Sequence, residues 1–353
     1  MKKITLFLLI LIMCLQMAGC GNKSSLGEEP KEDSSASEKI VVGFSQLGAE
    51  SDWRSSNSES MKNAFASMYG YNLIFEDGQQ KQANQITAIR NFIQQGVDYI
   101  VLAPVTETGW DTVLQEAKDA GIPVIIVDRM VDVADEGLFI SWVGSDFELE
   151  GRKAAEWLKE YTVAENIAAE DINIVNLQGS LGSSAQLGRT KGLEDAVKEN
   201  GWNLLEEAVA DFTQAKGEEV MAALLKKYHN INVVYCENDN EALGAITAIE
   251  AAGKTVGSDI KNGEIMILSF DGVNEDARNY VAEGKISCIT ECNPLHGPRV
   301  RAIIKALEQG DTPEKFEYVD ETLFSGFNKI ESITVDNKEY AVTILEKESD
   351  SEE

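Results

Sequence analysis

Residues 41–54 read Val-Val-Gly-Phe-Ser-Gln-Leu-Gly-Ala-Glu-Ser-Asp-Trp-Arg, an apolar run that breaks at Ser45 into a polar loop. The apolar run predicts a buried strand over 39–44, and a helix is predicted from about Trp53 to Met68. In open α/β sheets, ligands lie beyond the carboxyl ends of the strands, where the loops gather polar groups. This loop carries an amide, a carboxylate, an indole and a guanidinium, without the glycine pattern of a dinucleotide site. It therefore favours a polyhydroxylated ligand over a pyrophosphate, with a solvated turn as the alternative.

Strand and helix signals alternate through the rest of the chain. Further apolar runs of strand length occur at 71–75, 99–102, 124–127, 139–143, 172–176, 204–209, 232–236, 264–270 and 286–290. Helical stripes lie between them; Trp110, Val113, Leu114 and Ala117, for example, recur at i, i+3, i+4 and i+7. This alternation predicts parallel sheets with right-handed crossovers and helices on both faces. Because roughly 300 ordered residues exceed what one core serves, the sequence predicts two α/β lobes that face each other across a cleft.

Polar residues follow the predicted strands at five further points. These are Asp128-Arg129, Gln178 to Ser184, Asp211 to Thr213, Glu237 to Asn240 and Asp271-Gly272. Carboxylates accept charge-assisted bonds from hydroxyls and arginine donates in a planar fork, so this repeated chemistry favours a binding cleft for a sugar. Each residue also has a structural alternative. Asp211, Thr213, Asn238 and Asp239 are good helix caps, Asp128-Arg129 is a possible ion pair, and Phe212 and Phe270 are possible core residues.

The first twenty residues predict a lipoprotein signal. Lys2 and Lys3 precede an apolar run over 4–13, and Ala18-Gly19-Cys20 closes the segment. A charged start, a short apolar run and a small-residue end are typical of a cleaved signal peptide rather than a spanning helix. A cysteine directly after Ala-Gly resembles the bacterial lipoprotein signal, which implies that Cys20 is lipidated. An ordinary secretory signal is the alternative.

The remaining composition is strongly acidic. The formal charge is −29, or −31 once Lys2 and Lys3 leave with the signal. Such a surface repels nucleic acid and gains nothing from anionic lipid heads, so any membrane contact must come from the attached lipid. Residues 21–38 are almost free of apolar side chains and predict a flexible tether, and residues 346–353 predict a solvated acidic tail.

Three cysteines follow the tether, an odd number for a disulfide framework. Cys288 and Cys292 lie four apart on a predicted strand, which separates their Cα atoms by about 13 Å. A disulfide requires about 4.4–6.8 Å. Cys236 could meet one of them across strands, but the expectation is three thiols that are buried or at the edge of the cleft.

Eight runs carry a resemblance to a known family. They are Phe44-Ser45-Gln46, Ser51-Asp52-Trp53-Arg54, Glu76 to Gln82, Ala103-Pro104-Val105, Val127-Asp128-Arg129, Asp211-Phe212, Asn238-Asp239 and Phe270-Asp271-Gly272. With them, the chain from about Lys39 to Leu307 resembles the type I periplasmic sugar-binding proteins of ABC importers, and among these the galactofuranose-binding members. The resemblance implies two doubly wound parallel-sheet lobes, 39–145 plus 294–317 and 146–293 plus 318–345. It also implies a three-strand hinge near Gly144, Cys292 and Tyr318.

The resemblance further implies a set of ligand-binding residues from both lobes. They are Gln46, Ser51, Trp53, Arg54, Asp128, Arg129, Ser183, Arg189, Phe212, Asn238, Asp271 and Glu291. Asp128 and Arg129 are expected to hold ring hydroxyls, with the largest contribution from Arg129, and Phe212 is expected to stack on the ring. Ala103 and Leu187 stand where ribose-binding relatives carry an Asn and a ligand-binding Arg, which argues against ribose. Arg189, two residues on, is a weaker candidate that matters less if it faces solvent.

The implied function is that of a lipid-anchored, extracytoplasmic and monomeric solute-binding protein, with no cofactor or metal. It would capture galactofuranose or a related aldose and deliver it to an ABC permease. A glycoside-processing enzyme with Asp128 and Asp271 as acid and base is a weaker alternative, because neither His229 nor His296 lies in a nucleophile motif. A sugar-responsive repressor would need a basic DNA-binding segment before residue 40. A sensor that presents sugar to a kinase or chemoreceptor stays open.

Overall fold

The computed structural model describes residues 39–347. The predictions for the signal peptide, Cys20, the tether and most of the acidic tail fall outside the described residues. Within 39–347, no helix combines the length and the apolar character that a membrane crossing requires.

The first sheet has six strands, all parallel, in the order β11-β5-β4-β3-β1-β2. These strands are β1 (Ile40–Gln46), β2 (Tyr71–Asp77), β3 (Tyr99–Leu102), β4 (Val124–Val127), β5 (Ser141–Gly144) and β11 (Phe316–Tyr318). The helices that accompany them are α1 (Asp52–Ala64), α2 (Gln82–Gln95), α3 (Asp111–Asp119) and α9 (Gly297–Glu308). Ile100 and Leu102 of β3 pack on one face with α2 and α3, whereas Val101 packs on the other face with Met61 of α1 and Ile304 of α9.

The second sheet has eight strands in the order β13-β14-β12-β10-β9-β8-β6-β7. They are β6 (Asn173–Gln178), β7 (Asn203–Val209), β8 (Val233–Cys236), β9 (Met266–Asp271), β10 (Cys288–Glu291), β12 (Leu323–Ser325), β13 (Ser332–Val335) and β14 (Lys338–Ile344). The helices of this lobe are α4 (Phe147–Ala164), α5 (Ser184–Asn200), α6 (Gln214–Lys227), α7 (Asp239–Ala251) and α8 (Glu275–Ala282). The β6–β10 block is parallel, and β12 joins it antiparallel to β10. The prediction of two parallel-sheet lobes is confirmed.

Among the element boundaries that differ from the sequence prediction, those of β1 and α1 lie beside the cleft. Strand β1 continues through Ser45 and Gln46, which are polar yet buried and stay in register with Glu76 and Asp77 of β2. Helix α1 ends at Ala64 rather than near Met68, because the chain leaves helical geometry at Phe65. The longer strand matters for the cleft, because it places Gln46 where its Oε1 accepts a hydrogen bond from Arg54.

The chain passes between the two sheets three times. It leaves β5 for α4 through residues 145–146, returns from β10 to α9 through 292–296, and leaves β11 for β12 through 319–322. These three crossings are the only covalent links between the sheets within residues 39–347. The lobe limits derived from the sequence stay a prediction.

Candidate ligand-binding cleft

A cavity lies where the loops after β1, β4, β7, β8 and β10 and the end of β9 converge with the N-terminal turns of α4 and α5. Eight of the sequence-predicted site residues line it: Ser51, Trp53, Arg54, Asp128, Arg129, Arg189, Phe212 and Asn238, and a ninth, Asp271, closes the second-lobe side. The prediction that polar strand ends come together is therefore met by the geometry. Glu50, Phe147, Ala185 and Cys292 complete the lining.

The first lobe contributes a buried ion-paired arginine, Arg54. Its Nε donates to Glu50 Oε1 at 3.2 Å and its Nη2 donates to Asp128 Oδ2 at 2.6 Å. Burial alone would lower the pKa of Arg54, but the charges of Asp128 and Glu50 outweigh it and raise the pKa above the ordinary value. The arginine is thus permanently charged, and the alternative that Asp128 pairs with its neighbour Arg129 is wrong.

The second lobe contributes Arg189, which does not face solvent: its residue exposure is 2%. Its Nε donates to Glu150 Oε2 at 2.7 Å and its Nη2 to Asp271 Oδ1 at 3.2 Å. Burial opposes its charge, yet Glu150 and Asp271 raise its pKa well above the ordinary value. Leu187, the other position of interest in α5, is 45% exposed and does not line the cavity. The condition under which Arg189 would matter less, that it faces solvent, is therefore not met.

Arg129 differs from the other two arginines because it lacks a close carboxylate. Its Nη1 donates to the carbonyl of Val105 at 3.0 Å, its Nη2 stands 3.7 Å from Glu50 Oε1, and its buried Nε has no hydrogen-bond partner. Burial and the nearby charge of Arg54 lower its pKa to about 10, so it stays protonated at neutral pH. A buried donor without a partner costs free energy, which a ligand hydroxyl in the cavity would recover.

Aromatic rings form two walls of the cavity. Trp53 Nε1 donates to the carbonyl of Cys292 at 2.7 Å, which fixes the indole plane. The ring of Phe212 lies so close to Gly179 that a Cβ there would stand 1.9 Å from the ring, and the Arg129 guanidinium lies 5.3 Å from the ring centroid. Glycine at position 179 therefore makes room for the stacking ring.

The backbone is unusual at the same place. Asp128, Phe212 and Asp271 adopt φ of 65°, 60° and 95°, a region that non-glycine residues rarely occupy. Such conformations persist where the surroundings hold them, commonly at ligand sites. For Phe212 the surroundings are explicit: its N–H donates to Glu241 Oε1 at 2.8 Å and its carbonyl accepts from Asn238 Nδ2 at 3.1 Å.

Three predicted site residues do not line the cavity. Gln46 lies behind it, where its Oε1 accepts from Arg54 and its Nε2 donates to Asn57. Ser183 caps α5 by accepting from the N–H of Gln186. Glu291 binds the backbone N–H of Thr322 in the crossing region. In each case the side chain makes a contact within the protein instead of facing the cavity.

The helix-cap alternatives also have an outcome. Thr213 caps α6 and Asn238 caps α7, so Asn238 serves both as a cap and as a cavity residue. Asp239 binds Ser269 and the N–H groups of residues 272–274 instead of capping. Phe270 is a buried core residue whose ring faces Arg189. The three cysteines of the described chain are free and buried, as expected.

Direct hydrogen bonds close the cleft around the cavity. Asp52 accepts from Asn240 Nδ2 at 3.0 Å and from Asn274, the N–H of Met130 donates to Ser184 Oγ at 2.9 Å, and the N–H of Glu107 donates to Gly182 at 3.1 Å. Each bond joins an element of the first sheet's lobe to one of the second. The two lobes are thus in direct contact around the cavity, and the cleft between them is closed.

Two α/β lobes that close on a cavity of arginines, carboxylates and aromatic rings define a solute-binding protein. The family model described as periplasmic binding protein domain matches residues 42–296, and the chain belongs to this family. The resemblance inferred from the sequence is confirmed.

Individual relatives sharpen the comparison. The galactofuranose-binding protein YtfQ of Escherichia coli (strain K12) is 40% identical over 291 residues, which cover 81% of this chain and 87% of that protein. A protein from Mycobacterium smegmatis, solved in complex with β-D-fucofuranose, is 41% identical with a TM-score of 0.76 and covers 81% of this chain and 91% of its own. The periplasmic binding component of the arabinose ABC transporter from Shewanella sp. ANA-3, solved with α- and β-L-arabinofuranose, is 40% identical with a TM-score of 0.74, covering 80% and 91%.

Proposed function

We propose that this protein is an extracytoplasmic receptor that captures an aldose in its five-membered-ring form and delivers it to an ABC importer. The observation that carries the proposal is the closed cavity, in which Arg54, Arg129 and Arg189 stand with Asp128 and Asp271 between two aromatic walls. A sugar presents hydroxyls around its edge and C–H groups on its faces, and this lining complements both.

Each lobe has a distinct task in the proposed complex. Asp128 and Arg129 hold ring hydroxyls from the first lobe, while Arg189, Asn238 and Asp271 hold hydroxyls from the second. Trp53 and Phe212 cover the apolar faces of the ring. Because both lobes contact the same ligand, the sugar stabilises the closed form over the open one. Small-angle scattering should show a smaller radius of gyration with sugar, and an unchanged profile at saturation would contradict this closure.

The ring form follows from the relatives. Galactofuranose, β-D-fucofuranose and L-arabinofuranose are the sugars named for proteins about two-fifths identical to this chain. Galactose, D-fucose and L-arabinose share their configuration at the second, third and fourth carbons, so their furanose rings are alike and only the exocyclic tail differs. We therefore propose that the arginines and carboxylates of this cleft recognise that common ring.

Calorimetry of the full chain against D-galactose, D-fucose, L-arabinose, D-ribose and D-glucose tests the proposal. We expect the first three to bind and the last two to bind weakly or not at all. A free sugar binds with an apparent affinity reduced by its small furanose fraction, so 1,5-anhydro-D-galactitol, which is locked in a six-membered ring, is the matched control and should not bind. Binding of the anhydro sugar as tight as that of galactose would overturn the furanose assignment.

Anchoring is part of the same proposal. Cys20 carries the lipid that holds the receptor at the cell surface, and two or more acyl chains are needed because one gives only marginal binding. The Cys20→Ser protein should therefore leave the membrane fraction. Its retention there would contradict the lipid anchor. The mature receptor is expected to be a monomer in gel filtration.

Hydrolysis is the rival function that Asp128 and Asp271 raise. Both carboxylates are held in ion pairs with arginines, which suits acceptance of hydroxyl hydrogen bonds better than proton transfer to a leaving group. We expect no release of nitrophenol from a p-nitrophenyl galactofuranoside. Enzymatic turnover that Asp271→Asn abolishes would overturn the receptor proposal.

A further inference from the structure

The three crossings between the lobes each bring one metal-ligating side chain to the same point. Glu150 lies in the first turn of α4 after the first crossing, Cys292 begins the second crossing, and Glu321 lies in the third. One carboxylate oxygen of each glutamate and the Cys292 sulfur all lie within 4.8 Å of one another. Glu150 and Cys292 are buried, and Glu321 is partly buried.

A fourth potential ligand atom, a hydroxyl oxygen, lies in the same cluster. Ser145 Oγ, from the first crossing, lies 3.4 Å from Cys292 Sγ and donates to Glu321 Oε1 at 2.6 Å. The backbone N–H of Asn293 donates to that same Glu321 oxygen at 2.7 Å. These hydrogen bonds hold Ser145 and Glu321 beside Cys292.

One oxygen of the cluster lacks any partner. Glu150 Oε2 accepts from Arg189 Nε, but Glu150 Oε1 is fully buried without a hydrogen-bond partner. Nearby, Lys153 Nζ donates to the backbone carbonyl of Glu321 rather than to its carboxylate. Within residues 39–347 the Glu321 carboxylate has no ion-pair partner at all. The site thus combines an unpartnered buried oxygen with a carboxyl group that makes no ion pair.

We propose that Glu150, Cys292 and Glu321 bind a thiophilic divalent cation such as Zn²⁺ or Cd²⁺, with the Ser145 hydroxyl as the fourth ligand. A sulfur with carboxylate oxygens suits Zn²⁺, which takes four ligands, and disfavours Mg²⁺ and Ca²⁺, which take six or more oxygens. As the metal–sulfur bond forms, the Cys292 thiol loses its proton to solvent and binds as the thiolate. Such an ion would tie together all three links between the lobes.

Cd²⁺ is the probe, because a cadmium–thiolate bond adds an ultraviolet charge-transfer band that carboxylates cannot produce. The reduced mature protein, which lacks the signal peptide and carries its lipid on Cys20, is titrated with CdCl₂, so Cys236, Cys288 and Cys292 are its free thiols. We expect one equivalent of Cd²⁺ to produce the band in the wild type and in the matched controls Cys236→Ser and Cys288→Ser, whose thiols are buried elsewhere. Cys292→Ser should lose that equivalent.

A second variant keeps the test decisive if Cys292→Ser folds poorly. Glu321→Gln leaves all thiols and the cavity lining intact, and it should weaken Cd²⁺ binding by roughly tenfold or more, since even supporting residues of metal sites have effects of that size. Excess Mg²⁺ should not compete. A band that persists in Cys292→Ser, an unchanged affinity in Glu321→Gln, or no thiolate band in the wild type would each overturn the metal site.

Discussion

The two lobes hold their cleft arginines in the same way. In the first lobe Arg54 bridges Glu50 and Asp128, and in the second Arg189 bridges Glu150 and Asp271. We call Glu50, Arg54 and Asp128 the first arm, and Glu150, Arg189 and Asp271 the second arm. In both arms the arginine Nε donates to the glutamate and Nη2 donates to the aspartate. Both aspartates end or follow a strand and adopt positive φ.

The surroundings of the two arms differ. Beside the first arm stands Arg129, only 3.7 Å from Glu50, so a second cation shares its carboxylates. Behind the second arm stand more acids: Arg189 also donates to the backbone carbonyl of Glu237, and burial raises the pKa of the Glu237 carboxyl to about 7 and that of Glu241 well above its usual value. The first arm therefore has the additional positive charge of Arg129 available for a ligand. The arginine of the second arm also faces the buried acids of its lobe.

The largest difference between the two arms should appear in the free energy of unfolding when the arginine of either arm is replaced. Breaking a buried ion pair costs about 3–5 kcal/mol because a charge is left uncompensated. Arg189→Met should reach that loss in urea unfolding of the sugar-free protein, while Arg54→Met should lose less because Arg129 remains beside Glu50 and Asp128. An Arg54→Met protein as unstable as Arg189→Met would break the distinction between the arms.

The acids behind the second arm predict a pH dependence of stability. Burial raises the pKa of Glu237 from 4.5 to about 7, so the folded state binds this proton more tightly than the unfolded state. The contribution of Glu237 to the free energy of unfolding is then highest below about pH 4.5. It falls as the pH rises through about 7, by on the order of 3 kcal/mol in total.

Glu237→Gln mimics the protonated carboxyl and isolates that contribution. We expect the variant to match the wild type near pH 5 and to be more stable near pH 8 in denaturant unfolding. The exposed Glu59→Gln serves as the matched control and should change neither value. A Glu237→Gln protein that is less stable than the wild type at pH 8 would contradict the buried-acid account.

Arg129→Ala should separate binding from stability. Its nearest carboxylate oxygen is Glu50 Oε1 at 3.7 Å, so unfolding should change less than on removal of Arg54 or Arg189. The loss of its charge-assisted bond to the sugar should cost about 1.5–3 kcal/mol. Calorimetry should show an affinity lower by roughly ten- to a hundredfold. Arg90→Ala, which breaks an exposed ion pair with Glu116 in the same lobe, is the control and should leave affinity unchanged. An Arg129→Ala protein with wild-type affinity would remove Arg129 from the site.

The smallest effect concerns the rim of the cleft. Asp52 receives hydrogen bonds from Asn240 and Asn274 of the opposite lobe, but all three groups are exposed to water. Asp52→Ala should therefore cost only about 0.5–1 kcal/mol of closed-state stability. Stopped-flow tryptophan fluorescence should show sugar release faster by about two- to fivefold with little change in the association rate. A slower release would contradict the role of these bonds in holding the cleft closed.

The sequence predicted two residues of each arm, Arg54 and Asp128 in the first and Arg189 and Asp271 in the second, and missed both glutamates. Glu50 lies in the loop before α1, and Asp128 directly follows an apolar strand, so the first arm comes from two strand ends. Glu150, Arg189 and Asp271 come from α4, α5 and β9, and only the folded second lobe brings them together. For the same reason the sequence could not show that Arg189 is buried, and the cluster of Glu150, Cys292 and Glu321 left no trace in the spacing of the sequence.

The sequence predicted the fold more completely than the site. Strand and helix positions follow from apolar periodicity, which is a local property, and the two-lobe architecture follows from chain length. The direction of individual side chains depends on packing instead. Gln46, Ser183 and Glu291 lie within four residues of a cavity residue in sequence but turn to Asn57, Gln186 and Thr322.

The central claim, that the two arms recognise a furanose ring, is tested most directly by NMR of the bound sugar. Galactose labelled with ¹³C at its anomeric carbon is added to the protein below saturation, and the bound anomeric signal reports the ring size. We predict a furanose signal with the wild type and its loss with Arg129→Ala. A bound signal at the pyranose position, unaffected by Arg129→Ala, would contradict the account.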